Sequence, residues 1–303
     1  MTFARLKAIS ERRIVWTIGL YELDGQDEVF SLSEKQPFLC FGQEGLRLDR
    51  NYRPVHADPF LFAHGGRLYV FHEIKTDFGV GEIHARSMDA QGSWVDHGQV
   101  LKEEFHLSYP QVLSHGDRIW MVPETASDGK VWLYAAENFP LGWHRVRTLV
   151  DEALVDPSII QTQEGIFLLG TTRKDELKIF FAKDIQAQFV TAGLVITDDR
   201  LCSRNAGAPF FTGDSWYRCA QNCRDAYGQN ILLLRIDDLS VDRYAEHIAV
   251  SDLFPDKPGW MKEGHHHLSM ASFNGKCYAA VDGMRKDRYL NTLLLGLMKV
   301  FAR

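Results

Sequence analysis

The sequence predicts an all-β protein, a five-bladed β-propeller with four antiparallel strands per blade, and three observations predict it. A phrase recurs five times along the 303 residues: a small or polar residue, Pro, a hydrophobic run, a Gly or Asp turn, then aromatic-x-hydrophobic. The copies are ADPFLFAHGGRLYVFHEI (57–74), SYPQVLSHGDRIWMVPET (108–125), VDPSIIQTQEGIFLLGTTR (155–173), GAPFFTGDSWYRCAQNC (207–223) and HLSMASFNGKCYAAVDGM (267–284). The prolines stand at 59, 110, 157 and 209, so the steps are 51, 47 and 52 residues, and a fixed period near 50 marks a repeat architecture. No stretch carries an i, i+3, i+4 apolar stripe of helical length, and four strands per unit repeated radially make a propeller.

Each unit divides at its turn residues. Alternating or apolar runs bounded by Gly, Asp and Ser clusters read as strands. The first copy gives DPFLFAH, RLYVFHEI, GEIHARSM and WVDHGQVL; the second gives YPQVLSH, RIWMVPET, KVWLYAAE and WHRVRTLV. The third gives SIIQT, GIFLLGTT, LKIFFAK and FVTAGLVIT, and the fourth APFFT, SWYRCAQN, NILLLRI and RYAEHIAV. The fifth has HLSMASFN, CYAAVDGM and YLNTLLLGLMKVF and then ends, one strand short. The run RIVWTIGLYEL (13–23) precedes the first copy without a partner. Pairing it into the last blade closes the ring and removes exposed sheet edges; otherwise it packs beneath blade one. A continuous repeat makes residues 1–303 one domain.

Thirty-four basic residues against forty acidic give −6, with no basic run, which argues against a nucleic-acid partner. The start lacks the order of a signal peptide, and no segment approaches the ~18 apolar residues of a membrane span. Cysteines at 40, 202, 219, 223 and 277 are odd in number and without framework spacing, as expected of reduced thiols in a cytoplasmic protein. Cys219 and Cys223 form a C-x-x-x-C pair without two further ligands, so no metal and no cofactor are expected.

In a propeller blade the start of strand one and the end of strand two meet at the same face. Strand-one starts carry Asp58, Tyr109, Asp156, Ala208 and Leu268; strand-two ends carry Glu73, Glu124, Arg173, Gln221 and Asp282. Just before strand one stand His56, His106, Arg204, Asn205 and the run His265–His267. One channel mouth thus gathers acids, arginines, histidines, Tyr and Gln from five loops, as a polar-ligand site does. Bland readings stand beside these. Asp before Pro is a common turn element, and Asp282 before Gly283 is another. Arg173 and Arg204 serve equally to neutralise acids. Glu73 and Glu124 interrupt apolar strands, where a carboxylate is costly unless paired or near water. In an extended strand His265 and His267 share one side and His266 the other, which fits a metal pair or ordinary loop histidines. Trp94 and Trp143 open fourth strands and belong to the core.

ADPFLF, FHLSYPQVLSHGDRIWMVPET, VDPSII and the CAQNC region resemble the family named after the N-terminal domain of plant glucosamine inositolphosphorylceramide transferase, over roughly residues 13–285. HLSYP…PET is the most specific part. That domain is similar to the five-bladed propellers of glycoside hydrolase family 43, where a first-blade Asp, a third-blade Asp and a later Glu line the central pocket. The resemblance places Asp58 and Asp156 on the first two. At the blade-four mouth stand Gln221 and Asn222, so the spare acids are Glu73 and Glu124. In the plant protein the transfer chemistry is ascribed to a separate C-terminal domain.

The resulting expectation is a protein acting on a glycosidic bond, glycosidase-like or transferring sugar in surface glycan synthesis, with a carbohydrate or nucleotide-sugar ligand in the channel. Asp58 would be base or nucleophile, Glu124 the acid, and Asp156 the group that sets the acid's pKa. Glu73, His106, Tyr109, Arg173, Arg204, Gln221, His266 and Asp282 would bind substrate. A non-catalytic sugar-binding or scaffold propeller is the alternative.

Overall fold

The structure, a computed structural model, describes residues 13–42, 55–75, 79–197 and 199–287. The chain opens with β1 (Arg13–Leu23) and β2 (Leu39–Phe41), joined through a 3-10 segment at Gln26–Glu34. Blade one follows as β3 (Val55–His64), β4 (Arg67–Lys75), β5 (Glu82–Asp89) and β6 (Trp94–Leu101). Blade two is β7 (Ser108–His115), β8 (Arg118–Glu124), β9 (Val131–Asn138) and β10 (Leu141–Val150). Blade three is β11 (Leu154–Gln161), β12 (Ile166–Thr172), β13 (Leu177–Ala182) and β14 (Val190–Thr197). Blade four has β15 (Arg204–Asn205), β16 (Phe210–Thr212), β17 (Ser215–Asn222), β18 (Asn230–Leu239) and β19 (Tyr244–Val250), and β20 (Leu268–Phe273) and β21 (Lys276–Asp287) begin blade five. The sheets are antiparallel meanders, and together they form the five-bladed propeller.

The last sheet runs β2-β1-β21-β20. The N-terminus therefore closes the ring with two strands. β1 pairs directly with β21, Thr17 opposite Gly283 and Ile18 opposite Asp282, and so takes the third place rather than the fourth. The run 289–301, read from sequence as the third strand, lies outside the described residues.

Three blades start alike. The register of the inner strand jumps between Ala57 and Phe60, between Ser108 and Gln111, and between Val155 and Ser158. In each gap sits an x-Pro pair whose first residue has positive φ: Asp58 at 53°, Tyr109 at 51° and Asp156 at 48°. The proline has no N–H for the ladder and steers its predecessor away from the right-handed helical region. The surplus residue is accommodated as a bulge, which re-aims its side chain. In blade four Gly207-Ala208-Pro209 splits the inner strand into β15 and β16, both pairing with β17. A Cβ on Gly207 would lie 1.8 Å from the Leu268 carbonyl oxygen, so only glycine permits that approach.

The core lies between blades. Trp120, Val122, Leu133, Leu168 and Phe180 fill the gap between blades two and three. Phe71, Ile83, Met121, Tyr134 and Trp143 fill the gap between blades one and two, and Trp94 packs against the blade-five side. All five cysteines are free thiols. Among the described residues no helix is long and apolar enough to cross a membrane.

Ring closure makes an expectation. Ile18 is fully buried whereas Ile14 on the same strand is 51% exposed. Ile18→Ala should cost about 2–5 kcal/mol, and Ile14→Ala about 0.5 kcal/mol or less. Chemical denaturation of both variants reads the difference; equal stabilities would mean that β1 does not close the ring.

Candidate functional site

The bulges turn one residue of each inner strand toward the channel, and a neighbouring blade fixes it. The Asp58 N–H donates to Asp282 Oδ2 at 3.0 Å, the Tyr109 N–H to Asp58 Oδ2 at 3.2 Å and the Asp156 N–H to Glu124 Oε2 at 2.9 Å. In each case the acceptor belongs to the preceding blade. In the other two blades, Gly207 N–H donates to the Tyr109 hydroxyl at 2.7 Å and Leu268 N–H to the Ala206 carbonyl at 2.7 Å. Deeper in the strands, Ser269 accepts from Leu61 N–H, and Gln111 both accepts from and donates to the Ile159 backbone.

Asp58, Glu73, Glu124, Asp156 and Asp282 are all buried and lie within reach of one another's charge. Burial pushes Asp58 up to about 7, with Asp156 and Asp282 adding to it and His266 opposing. Burial and then Asp156 push Glu124 up to about 8. Burial and then the Asp58 charge hold Glu73 well above the usual carboxylate range. Clustered acids that have left water keep their protons.

Asp282 differs. Burial works to raise it too, but His266 and backbone donors outweigh burial and hold it below its ordinary value. Its Oδ1 accepts the successive N–H groups of His266 and His267 at 3.1 and 3.0 Å, and His266 Nδ1 lies 2.7 Å from Oδ2. Successive N–H groups aimed at one anion form a nest. The 265–267 stretch is thus irregular, and strand alternation does not apply to it. His266 and His267 both approach Asp58, at 3.9 and 3.6 Å, while His265 faces Asp252 at 3.4 Å. Burial works against charge on His266, but the acids prevail and raise its pKa. Burial drives His267 down to about 3. Asp58, His266 and Asp282 bring one ligand atom each within 4.8 Å of one another, a spacing able to seat a cation. The Asp282 oxygens are already occupied by three N–H groups and His266, and ion pairing accounts for the set.

Asp156 is held by Arg204 Nε at 2.5 Å and Gln221 Nε2 at 2.9 Å. Gln221 also donates to the Asn205 carbonyl, and the Asn205 side chain donates to the Asp156 carbonyl. His106 Nδ1 accepts from Gly81 N–H at 2.8 Å, so in the neutral ring the proton sits on Nε2, 3.5 Å from Glu73 Oε1. Burial and then Lys75 lower His106 to about 4.

Two predicted substrate contacts stand elsewhere. Tyr109 is fully buried and crosses the channel from blade two: its hydroxyl meets Ser158 Oγ of blade three at 2.7 Å and accepts from Gly207 of blade four. With Phe60 at 4.8 Å and His267 at 5.1 Å it plugs the channel interior. Arg173 is exposed past the end of β12 and donates to the Ala126 carbonyl. His56 stacks on His72 at 5.4 Å, on the other side of β3. Sequence reasoning missed Trp16, which lies 4.3 Å from His266, and Tyr227, whose ring carries the Arg204 guanidinium at 5.0 Å.

Residues 49–284 match the family described as "Glucosamine inositolphosphorylceramide transferase 1, N-terminal". The chain is 31% identical over 250 residues to glucosamine inositolphosphorylceramide transferase 1 of Oryza sativa subsp. japonica, covering 76% of this chain and 33% of that protein. The Arabidopsis thaliana protein of the same name is 31% identical over 246 residues, with 76% and 32% covered. The chain thus spans about a third of the length of these relatives. Among solved structures it is similar to a β-xylosidase (TM-score 0.56, 15% identity, 78% of this chain and 92% of that one). An α-L-arabinofuranosidase from Clostridium thermocellum gives TM-score 0.54 at 13% identity, covering 74% and 81%. Likenesses at this identity establish the fold.

The pKa directions fix a sign. The folded protein keeps protons on Asp58 and Glu124 that the unfolded chain releases above its ordinary values of 3.8 and 4.5. Their contribution to stability therefore falls as pH rises from about 4.5 through 8. Glu124→Gln copies the protonated form and keeps an oxygen for the Asp156 N–H. It should melt with the parent near pH 4 and increasingly above it at pH 6 and pH 9. Glu124→Ala, which strands that N–H, should be about 1–3 kcal/mol less stable than Glu124→Gln at every pH. A Glu124→Gln variant less stable than the parent at pH 9 would contradict this.

Proposed function

The chain belongs to the family of glucosamine inositolphosphorylceramide transferase N-terminal domains, and on that footing we propose that it is a carbohydrate-active protein binding a sugar at the mouth of its central channel and acting on a glycosidic bond. The observation that carries this reading is the convergence of buried carboxyls from blades one, two, three and five, two of them displaced to about 7 and about 8. Glycoside chemistry requires a proton donor for the leaving oxygen and a second carboxylate as base or nucleophile. Glu124 is the donor in this proposal, kept protonated by burial and by Asp156. Asp58 is the base or nucleophile, with His266 favouring its ionised form. Arg204 and Gln221 keep Asp156 in place beside the donor.

The same charges bear on the substrate. Of the five acids three hold their protons toward neutral pH, and against the rest the described mouth sets Arg204 and His266, both already paired with acids, with Lys75 within reach of Glu73 and His106. Arg173, the other cation expected to meet an anionic group, is turned to Ala126. A neutral sugar enters such a site at less electrostatic cost than a nucleotide-sugar diphosphate, so a hydrolytic or sugar-to-sugar transfer is favoured over a nucleotide donor. A second reading, a sugar-binding module without turnover, draws on Gln221: a neutral amide stands where related propellers carry their third acid.

The donor works protonated and the base ionised, so kcat/KM should be bell-shaped with its maximum between pH 7 and 8, the apparent values belonging to the coupled set. Asp58→Asn and Glu124→Gln should each lower turnover about 10²–10⁴-fold while leaving the fold intact. Aryl glycosides and oligosaccharides, assayed by turnover and calorimetry, are the measurement. Binding without turnover, unchanged in both variants, selects the module reading, and no binding of any carbohydrate overturns both.

A further inference from the structure

We infer that Tyr227 is the stacking platform on which the channel mouth receives the ring of a neutral sugar. The inference rests on the carbohydrate reading of the mouth, and adds a positioning residue to it.

Tyr227 lies in the connection from β17 to β18, on the face where strand-two ends meet. It is 47% exposed, while the acids beneath it, His266 and Trp16 are buried. An isolated exposed aromatic carries no message by itself. This one is placed: its ring meets His266 edge-on at 5.3 Å and Trp16 at 6.4 Å, and the Arg204 guanidinium lies 5.0 Å from its centre. His266 is in turn 3.9 Å from Asp58. The phenol is thus one side chain removed from the carboxyl assigned as base or nucleophile, and the part of it not covered by these neighbours faces solvent.

The loop that carries it is built to stay. Gln229 N–H returns to the Asn222 carbonyl, Asn222 bonds Asn230, and Lys257 holds the Gln229 carbonyl. Gly228 has φ +59°, and a Cβ there would lie 3.0 Å from the His266 Cβ. A Cβ on Gly264 would lie 2.2 Å from the Gly228 carbonyl oxygen. Two glycines therefore let this loop press directly on the histidine that pairs with Asp58 and Asp282. A ring fixed in this way loses little conformational entropy when a ligand stacks on it, which is what makes a rigid aromatic an effective contact. The apolar C–H face of a sugar ring suits the electron-rich face of a phenol, and its hydroxyls suit the buried polar groups below.

The test compares the parent chain with Tyr227→Phe, Tyr227→Leu, Tyr227→Ala and Asp58→Asn on an array of neutral oligosaccharides that includes xylotriose. Calorimetry with the strongest binder and melting temperatures follow. Tyr227→Phe should bind within about twofold of the parent, because the face and not the hydroxyl acts. Tyr227→Leu keeps apolar bulk against His266 without a π face, and it and Tyr227→Ala should bind about tenfold more weakly or worse, about 1.4 kcal/mol, with melting temperatures near the parent's. Parent-like affinity in Tyr227→Leu or Tyr227→Ala overturns the platform. If Asp58→Asn is impaired in that same experiment, the carbohydrate reading survives it. A parent that binds none of the oligosaccharides overturns both.

Discussion

The structure depends on a set of backbone N–H groups that the blades present to one another at the start of their innermost strands. Asp58, Tyr109 and Asp156 hold positive φ, a conformation that costs of order 1–3 kcal/mol for a non-glycine residue and persists only where its surroundings dictate it. What dictates it here is a carboxylate of the preceding blade: Asp282, Asp58 and Glu124 in turn. The kink aims the side chain, and the aimed side chain of one blade latches the next. Asp58 does both, receiving its own N–H bond from Asp282 and accepting that of Tyr109. Architecture and chemistry therefore share atoms, and the amide variants of these acids are the informative ones because an amide oxygen still serves the latch.

Burial gives the second half of the account. Five carboxyls buried in one mouth cannot all ionise, and their environments push them apart. Asp282 stays charged because three N–H groups and His266 surround it. Asp58, Glu73 and Glu124 have fewer donors and rise. Groups that differ in this way, side by side, are how acid and base roles are divided in carboxylate chemistry. Arg204 sits within the cluster, bound to Asp156 and covered by Tyr227, so this cation also steadies an exposed aromatic ring of the site.

Much of this was legible in the sequence, and the failures have particular causes. The period near 50 gave the blades, and the DP, YP and DP dipeptides marked the inner strands because proline cannot sit in a central ladder. Equivalent position around the ring brought Asp58, Glu73, Glu124, Asp156 and Asp282 together. Arg173 stands one residue past the end of β12, and the register puts Thr171, opposite Val155, where Glu73 and Glu124 stand opposite Ala57 and Ser108. Tyr109 was read as a mouth residue, yet its ring crosses the channel to Ser158 and Gly207, contacts between residues 49 and 98 positions apart that no local pattern carries. His265–His267 was placed just before the inner strand, and the nest around Asp282 that bends it depends on a partner in β21. Tyr227 had no signal at all: it stands in a polar loop, and only the packing of Gly228 on His266 gives it a place.

The central claim is that buried carboxyls from different blades meet in one mouth and hold their protons near neutral pH. Carboxyl carbon shifts of selectively labelled Asp and Glu, followed by NMR from pH 4 to pH 10 in the parent and in Asp58→Asn and Glu124→Gln, measure it directly. The account expects resonances titrating near 7 and near 8 that are lost one at a time in the two variants, with Asp282 ionising ahead of both. Both resonances titrating near 4, as water-exposed carboxyls do, would contradict it.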